Sequence, residues 1–447
     1  MTIKTTLTAP LRSGAAKPAK LKALIRKALD VVDYVDYEDA REVIERAGDA
    51  GDLIQDVLES GNACSAAELA AYALELGFKA INCMDDSSGN MGDLLSAIAG
   101  VHLEACEKGG LSAVELAYSV FDLQLADDIG IIVLEPYRAT LGKEGLAAYR
   151  KLVRNAWNKL PVLTQGAQVQ IGSRVSTQVS TAHYAITAMM KTLALIDGDV
   201  DALIDILKHD LRHAHNYLKI AETLAQADRH DEALQWVEDG RKIFPAAHHT
   251  ALDDFAAAEY HRRGRHDDAI ALHWMQFEKH PALQNYQMLK ASADKNQTWN
   301  AWREKALAHM EIAARKNSTH STSWLRSDGS TLIEIHLWEG NPASALVAAR
   351  THKCTRSHWL ELAKALERGK PDEAICIYQK HIDSVITGGD KGAYHAAGQL
   401  IVRLCKLMHA AQRQPEYTTY LAGVRLRHKA KRNFIKVLDA LAAKKKV

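Results

Sequence analysis

The feature that most constrains this chain is an internal repeat with helical spacing. Tyr217 is followed by Ile220, Ala221 and Leu224, then by a polar turn at Asp228, Arg229, His230 and Asp231. Ala233, Val237 and Gly240 come next on one face, and Pro245 closes the unit. The order recurs at Ala256, Ala257, Tyr260, Gly264, Ala269 and Pro281, and both Ala233 to Ala269 and Pro245 to Pro281 are steps of 36 residues. Small residues at such positions let two helices of a hairpin approach closely, while the large ones fill the flanks. A shorter signature, Gly, four residues, then Ala, appears at Gly61/Ala66, Gly264/Ala269, Gly340/Ala345 and Gly369/Ala374. Gly there is expected to supply a left-handed exit from the first helix, with the Ala packing the second.

These units predict an all-α fold, an α-solenoid of tetratricopeptide-like helical hairpins preceded by an N-terminal helical domain. Composition agrees, because Pro (9) and Phe (6) are scarce and Leu and Ala dominate. One β-like run stands out, Ile129 to Leu134, which reads equally as a buried helix entry. The expected organisation is a flexible tail at 1–20, the N-terminal helical domain at 21–161 and an exposed polar loop at 162–179. The repeat array follows at 180–387, and helices with a basic face close the chain at 388–447. The acid-free stretch Met1 to Leu29, with Lys4, Arg12, Lys17, Lys20, Lys22, Arg26 and Lys27, reads as a tail running into a helix rather than as a transit peptide.

With 56 basic and 55 acidic residues, the molecule as a whole is not built to bind polyanions, so any basic surface is local. No apolar run is long enough to cross a membrane. The six cysteines form no Cys-x-x-Cys pair and sit in apolar helical patterns, as expected of reduced core thiols in a cytoplasmic protein. Phosphate-loop, dinucleotide and nucleophile-elbow motifs are absent, and neither a catalytic residue nor a cofactor is expected. His209 and His213 are expected four apart on one helical face, a spacing that can chelate Zn²⁺ or Ni²⁺; His352, Cys354 and His358, with Cys376 as a fourth candidate, form a second group. The plainer reading is a polar inter-helix turn for the first set and core-facing side chains for the second. His102 and Cys106 share a helical face with a still weaker case for a ligand pair. The loop Asp85 to Gly92 lacks the alternating oxygen ligands of a cation site and is expected to cap the next helix.

A wider resemblance is carried by Asp122-Leu-Gln-Leu-Ala-Asp-Asp128, Gly145-Leu-Ala-Ala-Tyr149, Ile196-Asp-Gly-Asp-Val200, the hairpins above, and His428-Lys-Ala-Lys-Arg-Asn-Phe434. The chain resembles an uncharacterised bacterial all-helical family, similar to the region that follows the zinc finger in SWIM-type zinc-finger proteins. The zinc finger's own Cys and His cluster is absent here. The resemblance implies a helical-repeat architecture and supplies neither a reaction nor catalytic residues.

Two surfaces are candidates for partners. Six of the eight tryptophans fall between residues 274 and 359. Trp274, Trp299, Trp302, Trp324 and Trp338 are either inter-hairpin packing or aromatic anchors for a protein segment. The stretch Arg425 to Lys446 holds nine Lys and Arg against the single acid Asp439. Phe434 and Leu438 are expected to pack there, leaving Arg425, Arg427, Lys429, Lys431 and Arg432 as a solvated face or a nucleic-acid or acidic-partner contact. The functional expectation is a non-enzymatic adaptor that binds a protein segment on a repeat surface. The alternative is a nucleic-acid-associated accessory using the basic C-terminal helix.

Overall fold

The computed structural model describes residues 18–31, 33–163, 169–171, 174–176, 181–244, 250–317, 328–352, 354–389 and 391–443. The chain divides into two compact units, Met1–Ile243 and Phe244–Val447. Trp324, Pro245, most of the tail at 1–20 and parts of 162–179 lie outside the described residues.

The first unit contains α1 (Pro18–Leu29), α2 (Tyr37–Glu59), α3 (Ala63–Ile81), α4 (Asn90–Glu107), α5 (Ala113–Ala126) and α6 (Leu134–Trp157). A short antiparallel ribbon follows, β1 (Val169–Ile171) with β2 (Arg174–Ser176), in the register Val169 to Ser176. Then come α7 (Thr181–Asp197), α8 (Val200–Leu207), α9 (Ala214–Gln226) and α10 (His230–Ile243). The stretch read as a loop thus carries a hairpin that its Gly and Ser content concealed. The run from Ile129 is not a strand. Its amides at Ile129, Gly130 and Ile132 donate to the Asp127 carboxylate at 3.1, 2.8 and 2.6 Å, and Leu134 then opens α6.

The second unit contains α11 (Thr250–Arg262), α12 (His266–Lys279), α13 (Leu283–Asp294), α14 (Trp299–Asn317), α15 (Asp328–Trp338) and α16 (Pro342–Thr351). It continues with α17 (Arg356–Leu366), α18 (Pro371–Gly388), α19 (Lys391–Ala410), α20 (Gln414–Arg427) and α21 (Arg432–Ala443). Successive helices pair as antiparallel hairpins, and the first helices of neighbouring hairpins adjoin, α13 with α15 and α15 with α17. Each unit has its own apolar core.

Local chemistry starts these helices. Asn62 and Asn341 accept from the Ser65 and Ser344 amides at 3.2 and 3.1 Å, and Ser112 with Glu115 forms a reciprocal capping box at α5. Asp86 accepts from the Met91 and Gly92 amides, so the acidic loop caps α4 as its sequence suggests. The repeat register holds at its small positions: Ala66, Ala233, Ala269, Ala345 and Ala374 are fully buried. Gly61, Gly264 and Gly340 have φ of 86°, 74° and 72°, as the exit role demands. Gly369 does not take the left-handed turn, and there Pro371 starts the second helix instead. In the first unit Gly240 faces Tyr217 so closely that an added Cβ would stand 2.9 Å from the tyrosine's Cβ.

Candidate interaction surface

Within the second unit, α17 and α19 flank a groove of about 800 Å³. Its apolar lining comes from Leu360 on α17 and from Leu400, Val402 and Leu407 on α19. Leu360 and Lys364, four apart, share one side of α17; Arg368 follows in the turn after that helix, and Gln399, Arg403 and Lys406 line the groove from α19. Four cations, Lys364, Arg368, Arg403 and Lys406, therefore line the groove against two carboxylates, Glu361 and Glu367. Both carboxylates have partners within the protein. Lys364 donates to Glu361 at 2.7 Å; Arg403 donates to Glu367 at 2.5 and 3.1 Å, and the Tyr378 hydroxyl donates at 2.7 Å. Burial raises the Glu367 pKa, but the bonds from Arg403 and Tyr378 outweigh it and hold the carboxyl below its ordinary range. Arg368 and Lys406 are exposed and make no hydrogen bond or ion pair among the described residues. The sequence reading missed this groove. Its signal was available in Lys364 on α17 with Arg368 in the turn after it, and in Arg403 and Lys406, which follow Leu400 on α19.

The described tryptophans of this set are tied to helix packing. Trp274 is buried on α12, with its ring 5.6 Å from Trp302 of α14, and the Lys305 ammonium lies 4.0 and 4.5 Å from the two ring centres. Trp299 stands edge-on to Tyr286 at 5.1 Å. Trp338, 43% exposed at the end of α15, contacts the same tyrosine at 6.1 Å. Tyr286 donates to Glu339 at 2.7 Å, and Arg303 grips that carboxylate with two bonds of 2.6 Å. Burial raises Glu339, and these bonds more than reverse the shift.

At the basic C-terminus, Phe434 and Leu438 are buried as the spacing predicts. The cations divide into two sets. Arg425 pairs with Asp439 at 2.5 Å, and Arg427 and His428 both reach Asp383, at 3.0 and 2.9 Å. Lys431 donates to the Ile386 and Thr387 carbonyls at 2.8 and 3.2 Å, closing the last turn of α18. Lys429 and Arg432 are exposed and carry no such partner among the described residues.

The histidine sets do not converge. α8 ends at Leu207 and α9 begins at Ala214, so His209 and His213 flank a turn rather than sharing a helical face. His209 packs at 4.1 Å against Trp157, and the backbone there pairs with Leu163. His352 bonds Glu311 at 3.0 Å and His358 bonds Glu334 at 2.7 Å. Burial pushes the Cys354 thiol up to about 11, away from thiolate chemistry. No group of three or more His, Cys, Asp or Glu among the described residues is placed to hold a metal ion.

One polar network is buried in the first unit. His102 bonds the Tyr137 hydroxyl at 3.0 Å through Nδ1 and Ser119 Oγ at 3.2 Å through Nε2, with Cys106 Sγ at 3.8 Å. Burial pushes His102 down to about 4 and Cys106 up to about 12, so both stay neutral near pH 7. A base this weak beside a protonated thiol acts as a packing element.

Stacked hairpins with buried small residues at their crossings define a helical-repeat protein of tetratricopeptide-like type. Its sequence belongs to a family of unknown function, DUF6880, whose model matches residues 11–437. No curated protein matches the chain. Among solved structures, it is similar to the human IFIT1 dimer with PPP-AAAA, at 12% identity over 95% of this chain and 94% of that one, with a TM-score of 0.25. Yeast Tom70 is similar at 12% identity over 96% of each chain, with a TM-score of 0.24. The class rests on this chain's own hairpins, not on these likenesses. No helix among the described residues is long and apolar enough to cross a membrane.

Proposed function

We propose that this protein is a non-enzymatic adaptor of the cytoplasm that holds a segment of a partner protein on the first-helix side of its second unit. The observation that carries this reading is the α17/α19 groove, with leucines along its lining and charges around them. Repeat stacks favour such extended grooves, and partner helices or strands bind them through a few apolar anchors. The six free thiols accord with a reducing compartment. Trp338, the most exposed tryptophan of the described set, is a candidate edge contact, whereas Trp274, Trp299 and Trp302 serve the packing between hairpins. We also propose kinship with the helical region of SWIM-type zinc-finger proteins. Use of the C-terminal cations for nucleic acid is less favoured, because Arg425, Arg427 and Lys431 already have partners within the protein.

The test is selection of a random displayed peptide library on the immobilised full chain. Enriched peptides are then measured by fluorescence anisotropy against the parent and against Ser357→Trp and Gln399→Trp, which fill the groove from exposed positions. The expected result is binding by the parent that both variants abolish while their circular dichroism is unchanged. Peptides indifferent to both substitutions would contradict the reading.

A further inference from the structure

The groove has a chemical preference as well as a shape. Its two carboxylates are engaged, Glu361 by Lys364 and Glu367 by Arg403 and Tyr378. A cationic peptide therefore finds no unpaired acceptor carboxylate along the lining and faces an excess of two positive charges. An acidic one finds Arg368, in the turn after α17, and Lys406 on α19, both exposed and without a partner among the described residues. The same lining carries Leu360, Leu400 and Leu407, each partly covered by the core and partly open to the groove. Exposed cations hold a carboxylate weakly when they act alone, so the leucines must supply most of the affinity and the charges the orientation and selectivity.

Resting on the groove reading above, we propose that the α17/α19 groove takes an acidic amphipathic peptide segment, with apolar side chains on Leu360, Leu400 and Leu407 and carboxylates on Arg368 and Lys406. The geometry also implies which partners are refused. A segment with Lys or Arg beside its apolar anchors meets like charge from Arg368 and Lys406 in the same lining.

The experiment uses the same library-selected peptides, now read for charge. Enriched sequences are expected to carry Asp or Glu within a helical turn of Leu, Ile or Phe. Exchanging those acids for Gln should weaken binding about tenfold, and the double variant Arg368→Glu with Lys406→Glu should do the same. Arg368→Lys should retain most of the affinity, which separates charge from fold. A swapped peptide bearing Lys in place of its acids should bind the double variant better than the parent. Neutral peptides that Gln399→Trp displaces but charge reversal does not would sink this inference and leave the groove reading standing. Peptides untouched by either change would end both. A short single-stranded RNA that binds the parent, resists competition by the acidic peptide and is lost with Arg368→Glu and Lys406→Glu would assign the cations to phosphate and overturn the proposal.

Discussion

Both units bury alanines at their hairpin crossings, but beyond those positions they fill their helix contacts differently. In the first, backbones touch. Ala66, Ala67, Ala70 and Ala73 bury one face of α3, and a Cβ added at Gly145 would stand 2.6 Å from the Ala113 carbonyl oxygen. In the second, aromatic rings hold neighbouring helices apart and fill the space: Trp274, Phe277, Tyr286, Trp299 and Trp302 form one connected set across α12, α13 and α14. Ridges of small residues and layers of large ones both satisfy interior density. They fail differently, because the first has no room for added volume and the second cannot close over lost volume.

That contrast gives the largest expected effects. Trp274→Ala in the second unit should cost about 3–5 kcal/mol in urea unfolding, since a buried indole leaves a void between α12 and α14. Gly145→Ala in the first unit should cost about 1–3 kcal/mol, because the clash is with backbone rather than with a movable side chain. If Trp274→Ala were neutral and Gly145→Ala stabilising, the contrast between the units would be broken.

Loss of one hydroxyl in each unit sharpens the comparison. Tyr137→Phe strips buried His102 of its Nδ1 partner and should cost about 1–3 kcal/mol. Tyr286→Phe leaves Glu339 with both Arg303 bonds, so its cost should be nearer about 1 kcal/mol. Equal losses would mean that the His102 site reaches solvent.

Acid should weaken both units in the same direction. His102 and His261 are pushed down to about 4: His102 by burial, and His261 by burial first and then by Lys295, His266 and His273. The unfolded chain then binds more protons than the folded one, so this stability is complete above about pH 6.5 and is lost as pH falls toward about 4. Glu339 and Glu367, held low by their arginines, lose their contribution as pH falls further still. Thermal melts from neutral to acid pH should slope accordingly, and His261→Gln should flatten the slope; a flat profile in the parent would contradict this account of the histidines.

The smallest effect is expected at the C-terminus. With Lys429 and Arg432 its only unpartnered cations among the five proposed, binding to short DNA or RNA should be weak and vanish between about 50 and 200 mM salt. Sub-micromolar binding that survives at the upper end and is lost on charge reversal at Lys429 and Arg432 would promote the nucleic-acid reading.

Much of the hairpin architecture was legible in sequence because it depends on local size patterns. Ala233, Ala269 and Ala345 mark the small positions of the pattern, and these residues are fully buried. Less was legible of the surface. The groove is made by α17, the turn after it and α19, and the residues that meet there are as far apart in sequence as Glu367 and Arg403, 36 positions, so no short motif records that meeting. The His209 and His213 spacing has the complementary limit, since four residues make a helical pair only if a helix runs through them, and here α8 has already ended and the residues lie in the inter-helix turn. The tryptophan cluster was visible as composition, yet which indoles pack and which face solvent depends on the neighbouring helix.

The most direct measurement of the central claim is hydrogen–deuterium exchange of the full chain with and without a library-selected peptide. The account predicts peptide-dependent protection concentrated in α17 and α19, around Leu360 and from Gln399 to Leu407, and absent in Gln399→Trp. Protection confined to α20 and α21, or to the first unit, would contradict it.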